Sequence, residues 1–202
     1  MNFSLCKFVR ARPNLVRTFS SLMRKRRAHM EESMKFYLVK EKAAGIYVDK
    51  EAADRRGLVH VARIFSKDVE LVSDAAVALD EDVTGEPQVL VGTLGASPLM
   101  SRLEEEGVLD VSELRGKRES FLVQLVSYQG TEKLVICGTE TIATLFGIYH
   151  ISRSIGVSPW VYWADVKPAK RKELVLDESV NFVSKEPSVK FRGFFMNDEW
   201  PS

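Results

Sequence analysis

Residues 88–97 read Q-V-L-V-G-T-L-G-A-S, and this stretch decides the fold. Gln88–Val91 is an apolar run bounded by a proline and a glycine, which is typical of a strand buried on both faces. Ser97 is a favourable helix N-cap residue, and Pro98 suits the first helical position. A buried strand that leads through a glycine-containing turn into a helix indicates an α/β layer.

Further strands are predicted on both sides of this stretch. Runs rich in β-branched and aromatic residues cover Lys35–Val39, Ile46–Val48, Phe121–Ser127, Lys133–Cys137 and Glu173–Leu176. Gln129 and Gly130 form the turn between the fourth and fifth strands of the chain. With the helices between them, the order β-β-α-β-α-β-β-α predicts a mixed sheet with packed helices.

Three helices are predicted from apolar periodicity and capping signals. The first covers Arg56–Ser73, and its apolar stripe comprises Leu58, Val61, Ala62, Phe65, Val69 and Val72. The second begins at Pro98 and stops at Gly107. The third covers Glu140–Ser154, with Thr139 as its cap and an apolar face that comprises Ile142, Phe146, Tyr149 and Ile155.

The basic residues are concentrated at the N terminus. Residues 1–30 hold eight Lys and Arg and no acid, which leaves 21 basic and 28 acidic residues in 31–202. We expect residues 1–33 to be a disordered basic extension with three interpretations: a mitochondrial-type transit peptide, an upstream extension from a misplaced start, or a basic tail for an anionic surface. No secretory signal is visible, so we expect a cytoplasmic location unless residues 1–30 direct the chain to mitochondria.

Several classes of function are excluded by composition. The acidic body argues against nucleic acid as a partner, and no apolar run approaches the ~20 residues of a membrane helix. Two cysteines and three isolated histidines offer no disulfide framework and no ligand spacing, so we predict neither a metal nor a cofactor (Cys6, Cys137, His29, His60 and His150).

The turn Gly92–Ser97 is a first candidate site, because backbone N–H groups at a helix start can hold an anion. It lacks the third glycine of the dinucleotide fingerprint and the Gly-Lys-Ser/Thr of the P-loop, so a tight βα turn is the favoured interpretation. On the third helix, Tyr149 is expected to be packed and His150 to lie on the surface.

A second candidate is the aromatic segment 157–166, V-S-P-W-V-Y-W-A-D-V. Flat rings beside a carboxylate suit a sugar, because the C–H face of a pyranose stacks on them while the acid binds hydroxyl groups. If the segment is extended, alternate side chains face opposite ways and one set is core. Packing is favoured over a sugar-binding surface for Trp160, Tyr162, Trp163 and Asp165, and both remain open.

A third candidate follows the strand-like run Lys190–Met196, K-F-R-G-F-F-M. Asn197, Asp198 and Glu199 come directly after it, where α/β barrels and open sheets place active-site groups. Adjacent carboxylates suit acid–base chemistry, and a solvated turn is the alternative. Ser202 lies six residues after Met196, and two expectations stay open: the strand closes the domain as an edge, or the polypeptide is cut short there.

Four stretches together resemble the N-terminal part of glycoside hydrolase family 115. They are V-G-T-L-G-A-S-P-L at 91–99, L-D-V-S-E-L-R-G-K-R-E-S-F at 109–121, F-G-I-Y-H-I-S-R-S-I-G-V-S-P-W-V-Y-W-A-D-V at 146–166, and P-S-V-K-F-R-G-F-F-M-N-D-E at 187–199. The family comprises α-glucuronidases that remove glucuronic or 4-O-methylglucuronic acid side chains from xylan by inverting hydrolysis.

The resemblance implies a domain plan and a site. Residues 34–180 would be an accessory α/β domain, and 181–202 a linker and the first strand of a truncated (β/α)8 barrel. Asp198 would be the catalytic-site residue, contacting the uronic acid or positioning water, with Asn197, Glu199, Trp163 and Asp165 as substrate-binding candidates. The implied partner is glucuronoxylan or its oligosaccharides, with no cofactor, and the intact enzyme is compatible with a homodimer.

Two departures from the family pattern bear on activity. Where the family carries G-S-D-K-R-G-T-I-Y, residues 138–146 read G-T-E-T-I-A-T-L-F, so Thr141 and Ile142 replace a basic pair. The resemblance also reaches only the first of eight barrel strands, whereas glycoside hydrolysis needs two carboxyl groups flanking the scissile bond. We therefore expect the 202-residue chain to be inactive. A non-catalytic carbohydrate- or protein-binding α/β module is the alternative.

Overall fold

The computed structural model describes residues 34–193, and all structural statements below concern that range. Its strands are β1 Lys35–Val39, β2 Gly45–Val48, β3 Leu79–Asp80, β4 Gln88–Thr93, β5 Phe121–Tyr128, β6 Thr131–Gly138, β7 Leu174–Asp177 and β8 Phe182–Val183. Its α-helices are α1 Arg55–Ser73, α2 Pro98–Glu105 and α3 Thr141–Ser154. Short 3₁₀ helices cover Ser112–Leu114, Pro159–Val161 and Glu178–Val180.

Six strands form one mixed sheet in the order β3-β2-β4-β6-β5-β8. The pairs β2–β3, β2–β4 and β4–β6 are parallel, whereas β5 is antiparallel to β6 and β8. Gln129 and Gly130 both have positive φ in the β5–β6 turn, as a two-residue hairpin requires. The predicted α/β fold class with a mixed sheet is confirmed.

Helices cover both faces of this sheet. Successive side chains of a strand point to opposite faces, so Val89 and Val91 join the core beneath α1 and α3, while Leu90 joins the core beneath α2. The six apolar residues predicted for the stripe of α1 are all buried. This double coverage explains why the parallel strands read as unbroken apolar runs.

The first two predicted strands belong to different sheets. β2 lies in the six-stranded sheet, whereas β1 pairs antiparallel with β7 in a separate two-stranded sheet. The pairing with β7 joins residues far apart in sequence, Lys35 with Asp177 and Phe36 with Leu176. Segment 174–177, predicted as a possible strand, thus closes the domain against its beginning.

The packed face of α3 differs from the predicted one. Ile142, Phe146 and Tyr149 are exposed, so the prediction that they face the core is wrong, whereas Ile155 is buried as predicted. The helix instead buries its small residues together with two isoleucines (Ala143, Thr144, Gly147, Ile148, Ile151 and Ser152). Small residues are needed because a Cβ on Gly147 would come within 2.6 Å of Ile136 Cγ2.

The cap of α3 also differs from the expectation. Glu140 occupies the N-cap position without a side-chain cap bond, and Thr139 Oγ1 instead accepts a hydrogen bond from Ser120 N at 3.1 Å. The threonine therefore ties the start of β5 to the end of β6. Its prediction as a helix cap is wrong.

One buried cation was not singled out from the sequence. Lys133 on β6 is fully buried, and its Nζ donates to the carbonyl oxygens of Thr84 and Glu86 and to Gln88 Oε1. Burial lowers the pKa of this amine. Because all its partners belong to the loop before β4 and to β4 itself, Lys133 holds that loop against the sheet.

The proposed domain ends lie partly outside the described residues. The basic extension 1–33 is outside them, as are Phe194–Met196 of the predicted barrel strand. Residues 190–193 carry no strand in this structure. The barrel strand and the boundaries of the domain plan therefore stay predictions.

Candidate functional site

The carboxyl end of the parallel strand β2 brings a buried carboxylate, Asp49, next to the glycine-containing turn. Asp49 follows β2 and is buried, and its Oδ2 accepts hydrogen bonds from Ser97 Oγ at 2.7 Å and from Leu99 N at 2.8 Å. Burial alone would raise the pKa of Asp49, but these hydrogen bonds and one from Glu51 N–H outweigh burial and lower that pKa. The carboxylate is therefore charged at neutral pH.

This arrangement decides the interpretation of residues 92–97. The first N–H groups of α2 are already bound, Leu99 N to Asp49 and Met100 N to Ser97 Oγ at 3.4 Å. A second anion would meet the charge of Asp49 where a phosphate would have to sit. The segment is a tight βα turn, and its glycine at 92 is required because a Cβ there would lie 2.8 Å from Ser97 Oγ.

A threonine cluster lies beside this turn. Asp54 Oδ2 accepts from Thr93 Oγ1 at 2.7 Å and from Thr141 Oγ1 at 2.8 Å. The hydroxyl groups of Thr93 and Thr144 lie 2.7 Å apart, which ties β4 to α3. Thr141, one of the residues that replaces the basic pair of the family pattern, thus anchors the start of α3 to the segment before α1.

The aromatic segment is not extended. Ser158 caps the 3₁₀ helix Pro159–Val161 by accepting from Trp160 N, so the condition for alternating side chains, an extended segment, is not met. Trp160, Tyr162 and Trp163 are 61%, 72% and 75% exposed, and Asp165 is also exposed, with φ 50°. Packing, the favoured interpretation, is therefore not what the described residues show for these rings.

A constellation that the sequence did not predict lies between α1, α3 and this aromatic segment. Asp68 of α1 and Ser152 of α3 are 3% and 4% exposed, and they line a cleft together with Tyr149, His150 and Tyr162. Burial raises the pKa of Asp68, and the neighbouring Ser152 hydroxyl opposes that rise. A sequence signal did exist, since Asp68 stands three residues after Phe65 and four before Val72, on the apolar stripe of α1.

His150 also departs from its expected place. Its ring stacks on Phe182 with centroids 4.5 Å apart and lies 5.6 Å from the ring of Phe121. Burial, and secondarily the guanidinium of Arg153, lowers the pKa of His150. The side chain is half-buried at the edge of the cleft, so the prediction of a surface residue is wrong.

Asp68→Asn is expected to raise the free energy of unfolding at pH 7 by on the order of 1 kcal/mol, because it removes a buried charge that lacks a cationic partner. The direction of this stability change follows from the raised pKa of Asp68. At a pH above that pKa, the native state of the parent chain carries a buried charge that water solvates better in the unfolded state. The higher stability of Asp68→Asn should shrink as the pH falls toward about 3.9, the pKa of an aspartate in the unfolded chain.

Urea unfolding of both proteins at pH 7 and pH 4 measures this effect. Glu105→Gln, the same acid-to-amide change at an exposed position of α2, is the control and should leave stability unchanged at both pH values. An equal stability of Asp68→Asn and the parent chain at pH 7 would contradict the assignment of Asp68 as an uncompensated buried charge.

The remaining predicted groups contribute no chemistry in the described range. Asn197, Asp198 and Glu199 lie outside the described residues. Cys137 is buried, and burial raises the pKa of its thiol to about 12, so it is not a nucleophile at neutral pH. Within residues 34–193, no three His, Cys, Asp or Glu side chains are grouped to hold a metal ion. None of the helices in that range is long and apolar enough to cross a membrane.

Comparison with solved structures identifies a relative of this fold. A family GH115 4-O-methyl-α-glucuronidase, BtGH115A, described as having specificity for decorated arabinogalactans, matches with a TM-score of 0.59 and 29% sequence identity. The match covers 74% of this chain and 18% of the length of that enzyme. The chain is thus similar in structure to a segment of a glycoside hydrolase.

The other comparisons add no further argument. A second solved structure, CpGH84D, matches with a TM-score of 0.40 and 11% identity over 67% of this chain and 20% of its own, which is too remote to inform this protein. No family model and no curated protein sequence matches the chain.

Proposed function

We propose that this chain is the N-terminal part of a glycoside hydrolase that removes glucuronic or 4-O-methylglucuronic acid side chains from xylan by inverting hydrolysis. The observation that carries the proposal is the similarity to BtGH115A, which extends over 74% of the chain at 29% identity. The four stretches that resemble family 115 in sequence also support it. Two of them, 91–99 and 146–166, form the β4–α2 turn and the α3–aromatic segment described above.

The polysaccharide that carries the uronic acid is a separate part of the proposal. The family resemblance points to xylan, whereas BtGH115A is described as specific for decorated arabinogalactans. BtGH115A is described as a 4-O-methyl-α-glucuronidase, and we take 4-O-methylglucuronic acid as the recognition element common to both substrates. Glucuronoxylan and its oligosaccharides remain our expected partners.

In this proposal the described α/β domain is an accessory unit and does not perform the chemistry. An inverting glycosidase needs a general acid and a general base about 6.5–9.5 Å apart with room for water between them. We assign Asp198 to the pocket, contacting the uronic acid or positioning the water, with Asn197 and Glu199 beside it. The exposed Trp163 and Asp165 are retained as candidates for contact with the substrate.

A hybrid enzyme tests the proposal. Residues 34–193 replace the matching segment of BtGH115A, and release of 4-O-methylglucuronic acid from the substrate of that enzyme is measured. We expect the hybrid to be active, BtGH115A without the segment to be inactive, and the 202-residue chain alone to release no uronic acid from glucuronoxylan. A folded but inactive hybrid, or hydrolysis by the 202-residue chain alone, would overturn the proposal.

The alternative, a non-catalytic carbohydrate- or protein-binding module, has one observation in its favour. The aromatic rings of the 157–166 segment are exposed, and large exposed apolar groups of this kind mark interaction surfaces. Activity of the hybrid would favour the accessory-domain role over an independent module.

A further inference from the structure

The cleft between α1, α3 and the Pro159–Val161 turn has the dimensions of a ligand site. Its volume is about 680 Å³. Small-molecule sites fall mostly between about 300 and 1,000 Å³ and combine apolar walls with a few polar groups. This cleft has that composition, since aromatic and aliphatic side chains surround a buried acid and a buried hydroxyl.

Two polar groups in the cleft lining lack hydrogen-bond partners. Among the described residues, neither Asp68 Oδ1 nor Ser152 Oγ has a partner of normal geometry, although both side chains are more than nine-tenths buried. Buried polar atoms in folded proteins are nearly always bonded, and an unpaired one is costly. A carboxylate and a hydroxyl left free at one place can accept from and donate to the hydroxyl groups of a ligand.

Aromatic rings line the cleft above these groups. Phe146 and Tyr149 stand on the outward face of α3, and Tyr162 follows the 3₁₀ turn; all three are more than one-third exposed. Tyr149, Tyr162 and Asp68 line the same cleft, so the two phenol rings and the carboxyl group face one space. Flat, accessible rings beside hydrogen-bonding groups suit the apolar face of a pyranose ring.

The charges around the cleft decide between ligand types. Lys67 and Arg153 line it and are exposed, whereas Asp68 is the one acid among its lining residues. Two cations against one acid disfavour a cationic ligand, which aromatic walls would otherwise attract. The same cations favour a ligand that carries a carboxylate of its own.

We propose that this cleft is a non-catalytic binding site for a hexuronic acid residue of a glycan. The sugar ring stacks on Tyr149, its hydroxyl groups bond to Asp68 and Ser152, and its carboxylate pairs with Lys67 or Arg153. The choice of a glycan rests on the proposed function, whereas the preference for an acidic sugar rests on the cleft itself. Such a site would hold an acidic polysaccharide on the accessory domain.

Calorimetric titration of the full 202-residue chain tests this site. The probes are a xylo-oligosaccharide with one 4-O-methylglucuronic acid branch and the same oligosaccharide without the branch. We expect the branched probe to bind at least about tenfold more tightly, because a charged hydrogen-bonded pair contributes more than 1.4 kcal/mol. Tyr149→Ala and Asp68→Asn should each weaken binding of the branched probe at least about fivefold.

Matched variants separate binding from folding. Phe191→Ala removes an aromatic ring that is 86% exposed and does not line the cleft, and Glu105→Gln repeats the acid-to-amide change on α2; neither should alter affinity. Asp68→Asn is expected to be more stable than the parent chain at pH 7, so its loss of affinity cannot come from unfolding.

Each outcome of the titration has a definite meaning. Equal affinity for the two probes overturns the preference for an acidic sugar, and no binding by the folded chain overturns the site. An active hybrid enzyme with no binding by this chain would refute the cleft site alone. Binding that depends on Tyr149 and Asp68, together with a folded but inactive hybrid, would refute the proposed hydrolase role and leave the cleft site standing.

Discussion

Gly138→Ala is expected to lower the free energy of unfolding of the α/β domain by about 4 kcal/mol or more. A Cβ at this position would collide with Thr144 N and would lie 2.6 Å from Thr144 Oγ1 and 2.7 Å from the carbonyl carbon of Ala143. Two of these three atoms belong to the backbone of the first turn of α3, so no side-chain rotation relieves the collision. The helix would have to move away from β6.

The loss is large because α3 carries part of the core. Ala143, Ile148 and Ile151 pack from this helix against the sheet. Displacing them combines overpacking at the glycine with cavities along the helix, and we expect a loss of about 4 kcal/mol or more, against a total stability of about 5–15 kcal/mol for a domain.

Circular dichroism and urea unfolding of the soluble protein measure this effect. Gly57→Ala is the control, because its Cβ would lie 3.7 Å from Thr141 Cγ2, an ordinary contact, and alanine is favoured over glycine within a helix by roughly 0.5–1 kcal/mol. A Gly138→Ala protein as stable as the parent would show that α3 does not lie as close to β6 as the structure has it.

The sheet was predictable because its strands are buried on both faces. Val89–Val91 and Leu134–Cys137 are short unbroken apolar runs, and in the structure they belong to neighbouring parallel strands with helices on either side. α1 was predictable for the opposite reason, since one face is apolar and the other is charged. In both cases burial and local propensity point to the same structure.

The orientation of α3 was not predictable from hydrophobicity. This helix carries apolar residues on every side, so periodicity does not reveal which side meets the sheet. Its largest side chains, Phe146 and Tyr149, point outward because only small residues fit where Gly147 approaches Ile136. The close approach of α3 to β6 depends on the tertiary structure. In the sequence alone, it is marked only by a glycine in the middle of the helix.

The candidate site was predictable only in part. The aromatic segment was found, but the 3₁₀ turn that begins at its Ser158-Pro159 cap was not predicted. Asp68 was overlooked, although a carboxylate within an apolar stripe is unusual and marks either a buried network or a ligand site. The residues assigned to catalysis from the family resemblance lie outside the described residues and remain predictions.

Asp49→Ala is expected to lower the free energy of unfolding at pH 7 by about 3 kcal/mol. Asp49 accepts from Ser97 Oγ and Leu99 N through Oδ2, and from Glu51 N at 3.1 Å through Oδ1. Alanine leaves the buried Ser97 hydroxyl and the Leu99 N–H of α2 without this acceptor. Urea unfolding of the two proteins at pH 7 measures the loss, and Asp49→Asn, which keeps one acceptor oxygen, should lose less.

The pH dependence of this stability loss shows whether Asp49 acts as a charged acceptor or only fills space. Because the folded state lowers the pKa of Asp49, its contribution is fully present above the unfolded value of about 3.9 and is lost as the pH falls through the lower folded value. The difference in free energy of unfolding between the parent chain and Asp49→Ala should therefore become smaller as the pH is lowered. Asp110→Ala is the control, since Asp110 also accepts a backbone N–H, from Ser112 at 2.9 Å, but is exposed, and we expect a much smaller loss of stability at pH 7 than for Asp49→Ala.

The same variant tests whether residues 92–97 form a tight βα turn that binds no anion. With Asp49 in place, the N–H groups at the start of α2 are bound and a negative charge stands beside them, so inorganic phosphate should not raise the midpoint of thermal unfolding of the parent chain. In Asp49→Ala the Leu99 N–H is free and the charge is gone, so phosphate should restore part of the lost stability. Stabilisation of the parent chain by phosphate would mean that the turn binds anions despite Asp49, and the tight-turn interpretation would be wrong.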